Sequence, residues 1–396
     1  MAARTTPRAA RRTPRPPTTG SAGQVAALLR AHGPMTRGEL GSTMGLSRAT
    51  VSATVAQLMD EGWVDERAAT TAAGRGRPPT LLSLTQQAGV AVGVDLGRTH
   101  ARVVLAHLGH EVLAEQAVEL DEAWRPSAAL EAVEKLVDDV VAEAGVDRGG
   151  IVGVGLGLPS PVDTTGHATS LTIPPEWVQQ DPAHVLAERL GVPVVVDNDA
   201  NLGALAEARW GAGRRFSTLF YVKAATGIGA GLVINGRLFR GSTGSAGEIG
   251  HFTVDEDGLV CRCGSRGCLE VRVGGHALVS AVAHSGKGIA SVTELVEAAR
   301  AGDPACTRIL GDAGETLGVA LAAVLNILNP DRVVLGGELG AAGELVLASL
   351  RERLSRHALA SAVRSASVVQ GQLGERAEAL GAVLLVLTEA ERFTAA

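Results

Sequence analysis

Two stretches of equal length, GVDLGRTHARVVLAHLGHEVL at 93–113 and LFYVKAATGIGAGLVINGRLF at 219–239, each read as an apolar strand, a glycine-bearing turn and a second apolar strand. The chain around them alternates strands with helical stretches. Val90–Val94 and Ala101–Leu105 read as strands, 127–144 as a helix and Ile151–Gly155 as a strand. Val192–Val196 reads as a further strand that runs into DNDAN and a helix through Trp210. A repeated strand opening inside an alternating α/β chain predicts a duplicated α/β domain with a cleft between its halves. Ligands of such sheets bind near the strand ends.

The first quarter has a different texture. Residues 1–87 carry eleven arginines against five acids, so the remainder must be strongly acidic to bring the net charge to −6. A basic segment on an acidic protein points to nucleic acid. Residues 1–20, with five arginines, four prolines and no acid, read as a disordered basic tail. From there Val25, Leu28 and Leu29 form an apolar stripe ending at Gly33. Thr36 and Glu39 form a capping box that opens a short second helix, and Gly45 breaks it. Ser47 caps a third helix with the stripe Val51, Val55 and Leu58. Two short helices across a glycine turn read as a helix-turn-helix, with Ser47, Arg48, Thr50 and Ser52 placed to reach base edges or phosphates. Trp63–Arg67 and Thr80–Leu84 read as the strands of a wing joined by AATTAAGRGRPP. Its Arg75 and Arg77 suit a minor groove. A flexible linker and a three-helix packing module without DNA are the plainer alternatives.

Three of the four cysteines fall in EIGHFTVDEDGLVCRCGSRGCLE. His251, Cys261, Cys263 and Cys268 are ligand types for one tetrahedral Zn²⁺, and four protein ligands leave no open position, so the metal would be structural. The alternative is a set of small buried residues with one disulfide. Glu248 and Glu270 flank the cluster, so it carries two carboxylates to one place and implies a polar ligand. Cys306, in PACTRIL, reads as a buried small residue.

Other candidate chemistry lies at strand ends. Asp95, Gly97 and Thr99 combine a carboxylate, a turn and a hydroxyl suited to Mg²⁺ and phosphate oxygens. Thr226, Gly227 and Gly229 form a second turn that either approaches phosphate or only closes a hairpin. Asp199 after Asn198 either accepts a hydroxyl proton in phosphoryl transfer or caps a helix. Gly336 and Gly337 either pass beneath an adenine or start a helix.

Together these residues resemble the ROK family of repressors and sugar kinases, within the actin-like ATPase fold. The resemblance runs from about residue 22 and is most specific in Glu248-Ile-Gly-His251 followed by Cys261-x-Cys263-Gly-x-x-Gly-Cys268-Leu-Glu270. GLPSPVD at 157–163, Asp197-Asn-Asp-Ala-Asn201 and Asn329-Pro-Asp331 also match family segments. The resemblance implies sugar contacts from Asn198, Asp199, Glu248, His251 and Glu270. It implies Asp199 as catalytic base in kinase members, and zinc on His251 and the three cysteines. One departure stands out. Arg98 occupies the place of the second glycine in the first phosphate turn and His100 follows Thr99; Arg98 either opposes close phosphate approach or holds a phosphate by its charge.

The expected organisation is a tail at 1–20, a winged helix-turn-helix at 21–87 and a sugar-kinase-like domain at 88–396. Lobe one of that domain covers about 88–200 plus the C-terminal helix, and lobe two about 201–380. The leading reading is a sugar-responsive DNA-binding regulator of carbohydrate genes, probing a palindromic operator as a homodimer or homotetramer. It would bind a sugar or sugar phosphate and structural Zn²⁺. The alternatives are an ATP-dependent hexose kinase, which alone would need Mg-ATP, and a constitutive DNA-binding protein whose sugar domain only oligomerises. The sequence reading favours a non-enzyme. No apolar run approaches a membrane span and the arginine-rich start has no signal core, so a cytoplasmic place is expected.

Overall fold

The computed structural model describes residues 16–68, 80–120, 125–169, 174–283 and 286–389. Arg75, Arg77 and most of the basic tail lie outside them.

The chain opens with three helices, α1 (Gly20–His32), α2 (Arg37–Met44) and α3 (Arg48–Asp60). Local chemistry fixes their starts. The Thr36 hydroxyl accepts the Glu39 amide (3.2 Å) while the Thr36 amide donates to the Glu39 carboxylate (2.7 Å), completing the capping box. The Ser47 hydroxyl accepts the Thr50 amide and so starts α3. Between them Gly45 takes a left-handed conformation that a side chain would strain. β1 (Val64–Ala68) and β2 (Thr80–Leu84) pair antiparallel as the two strands of a wing. Val51, Val55 and Leu58 of α3 are fully buried with Val25, Leu29, Leu40 and Leu82, each apolar side chain stabilising the module by about 1.5–3 kcal/mol.

The remaining elements form two sheets of one topology. The first contains β3 (Val90–Leu96), β4 (His100–His107), β5 (Val112–Glu119), β6 (Ile151–Leu158) and β7 (Val194–Asn198), in the order β5-β4-β3-β6-β7. Its helices are α4 (Pro126–Ala144), α5 (Pro175–Gln179), α6 (Pro182–Leu190) and α7 (Asp199–Arg209). The second sheet contains β8 (Thr218–Ala224), β9 (Ile228–Ile234), β10 (Arg237–Leu238), β11 (Arg332–Gly336) and β12 (Ser367–Gln370), in the order β10-β9-β8-β11-β12. In both, an antiparallel meander is extended by two parallel strands, so the duplication read from the two hairpins extends to the whole sheet. The fifth strand differs slightly from expectation. β7 begins at Val194, after Pro193, which has no amide to donate, and it continues through Asp197 and Asn198 by pairing with Gly157 and Leu158.

Helices of the second half are α8 (Leu269–Val273), α9 (Gly275–Ala283), α10 (Val292–Arg300), α11 (Pro304–Leu328), α12 (Gly337–Gly340), α13 (Glu344–His357), α14 (Ala360–Ser365) and α15 (Ala377–Thr388). By length and composition α11 is apolar enough to cross a membrane, which corrects the reading that no such segment exists. Arg308, Asp312 and Glu315 interrupt its apolar run in sequence. Its buried face, with Leu310, Leu317, Leu321 and Leu325, belongs to the core of the second half, packed on α13.

The final helices cross over. α7, which follows the first sheet, packs on β8 and β9. α15, which follows the second, packs on β3 and β6 and against α7. The approach is at backbone distance. A side chain at Gly93 or Gly155 would overlap the α15 backbone at Ala379 and Ala382. α7 and α15 thus form the middle of the molecule, and α1 of the winged helix rests on α15, in one apolar cluster with Leu205, Ala379, Leu380 and Val383.

Candidate functional site

The cluster predicted as a metal site closes in space. Donor atoms of His251, Cys261, Cys263 and Cys268 all lie within 4.8 Å of one another. Cys263 Sγ and Cys268 Sγ are 3.6 Å apart, and Cys261 Sγ is 3.7 Å from His251 Nδ1. Bond lengths of about 2.3 Å to sulfur and 2.0–2.1 Å to nitrogen in a tetrahedron require edges of this size, so the donor set fits Zn²⁺. Cys261 and Cys268 are buried, and none of the four cysteines is in a disulfide. Cys306 is buried in α11.

His251 turns Nδ1 toward the thiols and Nε2 toward Glu248, whose Oε2 is 3.8 Å away. Glu248 in turn lies near Asp199 and Glu270. Burial first, then the charges of Asp199 and Glu270, push its carboxyl up to about 7. Three carboxylates from α7, the loop before the metal cluster and α8 therefore meet in the cleft. They are not equally free. Glu270 is paired with Arg262 (Oε1–Nη2 2.8 Å), and its Oε2 accepts the Ile228 amide at 3.2 Å. Asp199 accepts the Ala200 amide at 2.7 Å on Oδ1 and meets the Lys223 ammonium at 2.9 Å on Oδ2. Glu248 is the least committed, with about a third of its side chain exposed.

Asn198 is the N-cap of α7. Its Oδ1 accepts the Asn201 amide and its Nδ2 donates to the Ser160 carbonyl (3.1 Å) and Asp199 Oδ1 (3.2 Å), so both amide hydrogens are engaged. Of the two roles that the sequence leaves to Asp199, capping thus belongs to its neighbour. Asp197, missed as a contact by sequence reasoning, accepts from Asn201 and pairs with Arg240, which also holds Glu389. Asp331 accepts the amides of Ser217 and Thr218 and so ties β11 to β8 away from the cleft.

The nucleotide candidates are brought to strand ends. His100 packs its ring directly over Gly97 and shares its Nε2 with Asp95 Oδ2 at 2.9 Å. Burial lowers the His100 imidazole, but the Asp95 hydrogen bond and charge outweigh it and raise the pKa above its usual value. Thr99 is exposed. Gly227 abuts the Glu270 carboxylate and Gly229 abuts Ala200, so these glycines of the Thr226 turn serve internal packing. Gly336 abuts the Tyr221 ring and Gly337 starts α12 at φ 72°. Beside them is a cavity of about 140 Å³ whose lining includes Glu207, Glu297, Glu338 and Glu375 with Arg300, an acidic wall for a nucleotide. Arg98 lies among Arg262, Glu270 and Asp199, with burial and the Arg262 charge lowering its pKa. At the first turn, then, Arg98 and the His100 ring both stand close to Gly97 in sequence or space.

In the winged helix, Ser47, Arg48, Thr50 and Ser52 are exposed on α3, opposite its buried stripe. The Ser47 and Thr50 hydroxyls are 2.8 Å apart and bonded to each other. Arg75 and Arg77 lie outside the described residues. The carbonyl groups ending α1 are satisfied by the body: Arg209 Nη2 donates to Ala31 (3.2 Å), and His110 Nε2 donates to Arg30 (2.7 Å).

Two families match this chain. The ROK family matches residues 91–389 and the MarR family residues 17–76. The xylose repressor of Bacillus subtilis is 30% identical over 89% of this chain and 91% of its own. Among solved structures, a ROK family transcriptional regulator homologous to the E. coli MLC protein covers 93% of this chain and 96% of its own at TM-score 0.72 and 24% identity, which shows the shared fold. A ROK family glucokinase from Streptomyces griseus, solved with glucose and AMPPNP, covers 75% of this chain and 99% of its own at TM-score 0.66 and 30% identity.

Proposed function

This chain belongs to the ROK family, and from that premise we propose that it is a transcriptional repressor whose grip on DNA is set by a sugar in the cleft. One observation carries the reading. The helix that begins with Asp199 in the cleft ends with Arg209 bonded to the winged helix, so the two functional surfaces share one rigid element. Coverage supports it, since the regulator aligns with 93% of this chain and the glucokinase with 75%.

In this reading Glu248, Glu270 and Asp199 accept hydrogen bonds from sugar hydroxyls. His251 joins that ring to a structural zinc held with Cys261, Cys263 and Cys268, so ligand and knuckle geometry depend on each other. α3 enters the major groove with Arg48 and Ser52 at base edges, and Arg75 and Arg77 serve the minor groove. A dimer reads a palindromic operator in the cytoplasm. Closure of the two halves around the sugar changes the spacing of the paired winged helices, and spacing decides whether both reach successive grooves. This reading leaves phosphoryl transfer out, and the His100 ring beside Gly97 in the first turn supports that.

The test is fluorescence anisotropy of a labelled DNA fragment from upstream of the protein's own gene. Titrations without ligand and with D-xylose, D-glucose, N-acetylglucosamine and their phosphates are compared. The reading expects sequence-specific binding that one of these ligands alters. Equal affinity for this fragment and random DNA at physiological salt contradicts it.

A further inference from the structure

Lys223 is the one charged residue of β8, flanked by the buried Val222 and Ala224. Its ammonium meets Asp199 Oδ2 at 2.9 Å and Glu378 Oε1 at 3.8 Å, with 13% of the side chain exposed. Glu378 is itself buried and accepts the Tyr221 hydroxyl at 3.0 Å. Asp95 belongs to the same electrostatic cluster. It is 1% exposed, its Oδ2 is taken by His100, and its Oδ1 has no partner among the described residues. The carboxylates come from the end of β3, the start of α7 and the start of α15, and Lys223 comes from the opposite sheet.

Buried carboxylates demand positive charge nearby, since each uncompensated one costs several kcal/mol of desolvation. A hard divalent cation satisfies such oxygens well. Here the protein supplies the charge. Burial would raise the Asp95 carboxyl, yet Lys223 and then His100 hold it down to about 2. Glu378 is raised to about 7 by burial, with Lys223 opposing. Lys223 pairs with Asp199 and Glu378, and His100 with Asp95, so each carboxylate already has a protein partner without any ion. A metal–nucleotide therefore does not fit these residues.

We propose that Lys223 is the resident cation of the cleft, standing where a divalent cation would bind among Asp95, Asp199 and Glu378, so that Asp199 recognises a sugar hydroxyl without metal or nucleotide. The proposal rests on reading the cleft as a sugar site. Its test uses metal uptake, and DNA binding does not enter, so either can fail alone. Lys223 thereby separates ligand sensing from phosphoryl transfer, and no change at Asp199 itself is needed.

The experiment is a Mn²⁺ titration of full-length, zinc-loaded protein, with free Mn²⁺ followed by electron paramagnetic resonance. Wild type, Lys223→Ala, Lys223→Ala/Asp95→Asn and Asp95→Asn are compared, with folding checked by circular dichroism. Wild type is expected to show no saturable uptake. Lys223→Ala is expected to take up one Mn²⁺ per chain with a dissociation constant on the order of 10⁻⁴ M, as weak carboxylate sites do. Adding Asp95→Asn should weaken that binding at least tenfold. A Lys223→Ala isotherm equal to that of wild type overturns the proposal. Should Lys223→Ala not fold, the charge-reduced Lys223→Ala/Glu378→Gln protein takes its place under the same two outcomes. Wild type also decides by itself: saturable Mn²⁺ or Mg-AMPPNP binding that Asp95→Asn removes overturns the proposal.

Discussion

Asp199 and Arg209 are the first and last residues of one helix, α7, with the carboxylate in the cleft and the guanidinium on the Ala31 carbonyl of the winged helix. Eleven residues span about 15 Å. The helix is packed on β8, β9 and α15, so a shift at one end is carried to the other. Arg209 is also a cation at the C-terminal end of α1, where it offsets unpaired carbonyls. Arg209→Ala should keep ligand-free operator binding close to wild type while reducing the sugar response severalfold, out of a usual coupling of ~1–3 kcal/mol. Operator titrations with and without the effector check this.

His110 gives that junction a pH dependence. Its ring lies edge-on to Trp210 with centroids 5.5 Å apart, and its Nε2 donates to the Arg30 carbonyl. Burial, then the positive neighbours Arg209 and His32, hold its imidazole down at about 4 from a usual 6.5, against the opposing pull of that carbonyl. As the pH falls below 6.5 the unfolded or undocked chain takes up the proton first, so stability is full above that value and is lost toward 4. Thermal melts at pH 7.5 and 5 should differ, and His110→Gln should reduce the difference.

Zinc removal should unfold the region around the cleft. Metal affinity is folding free energy in such knuckles. Cys263→Ser should lower zinc content well below the wild-type level of about one equivalent and lower the melting temperature of the effector-binding domain. Elemental analysis with calorimetry on native and variant protein measures both.

DNA contacts should separate by type. Arg48 at the start of α3 stands at base edges in this account, so Arg48→Ala should relax sequence preference by about 1–3 kcal/mol. Arg75→Ala and Arg77→Ala should weaken binding to most A·T-rich sites and reduce the salt slope by about one unit each. Competition titrations at several salt concentrations distinguish the two.

Much of this was legible because it is local. The capping box of Thr36 and Glu39, the Gly45 turn, the wing strands and the Cys–His cluster are set by residues close in sequence, where spacing and type suffice. The sheet duplication followed from two hairpins of equal length. What sequence could not supply was contact across the fold. Gly93 and Gly155 are glycine because α15, more than two hundred residues later, lies against them. Lys223 meets Asp199 and Glu378 only after two sheets face each other. Its one sequence signal was a lysine inside an apolar strand. Asn198 looked like a free amide, and its capping of α7 depended on where β7 stopped.

The most direct test of the account is operator binding by Glu248→Ala. Glu248 is the least committed carboxylate of the cleft, with His251 Nε2 at 3.8 Å and about a third of its side chain exposed. With the effector found by the ligand screen, wild-type operator affinity should change by roughly 5–150-fold, the span of ordinary allosteric coupling. Glu248→Ala, with its zinc content verified, should bind operator as wild type does without ligand and lose the response to the sugar. A variant that responds as wild type does, or a wild type whose operator binding no sugar or sugar phosphate changes, contradicts the account.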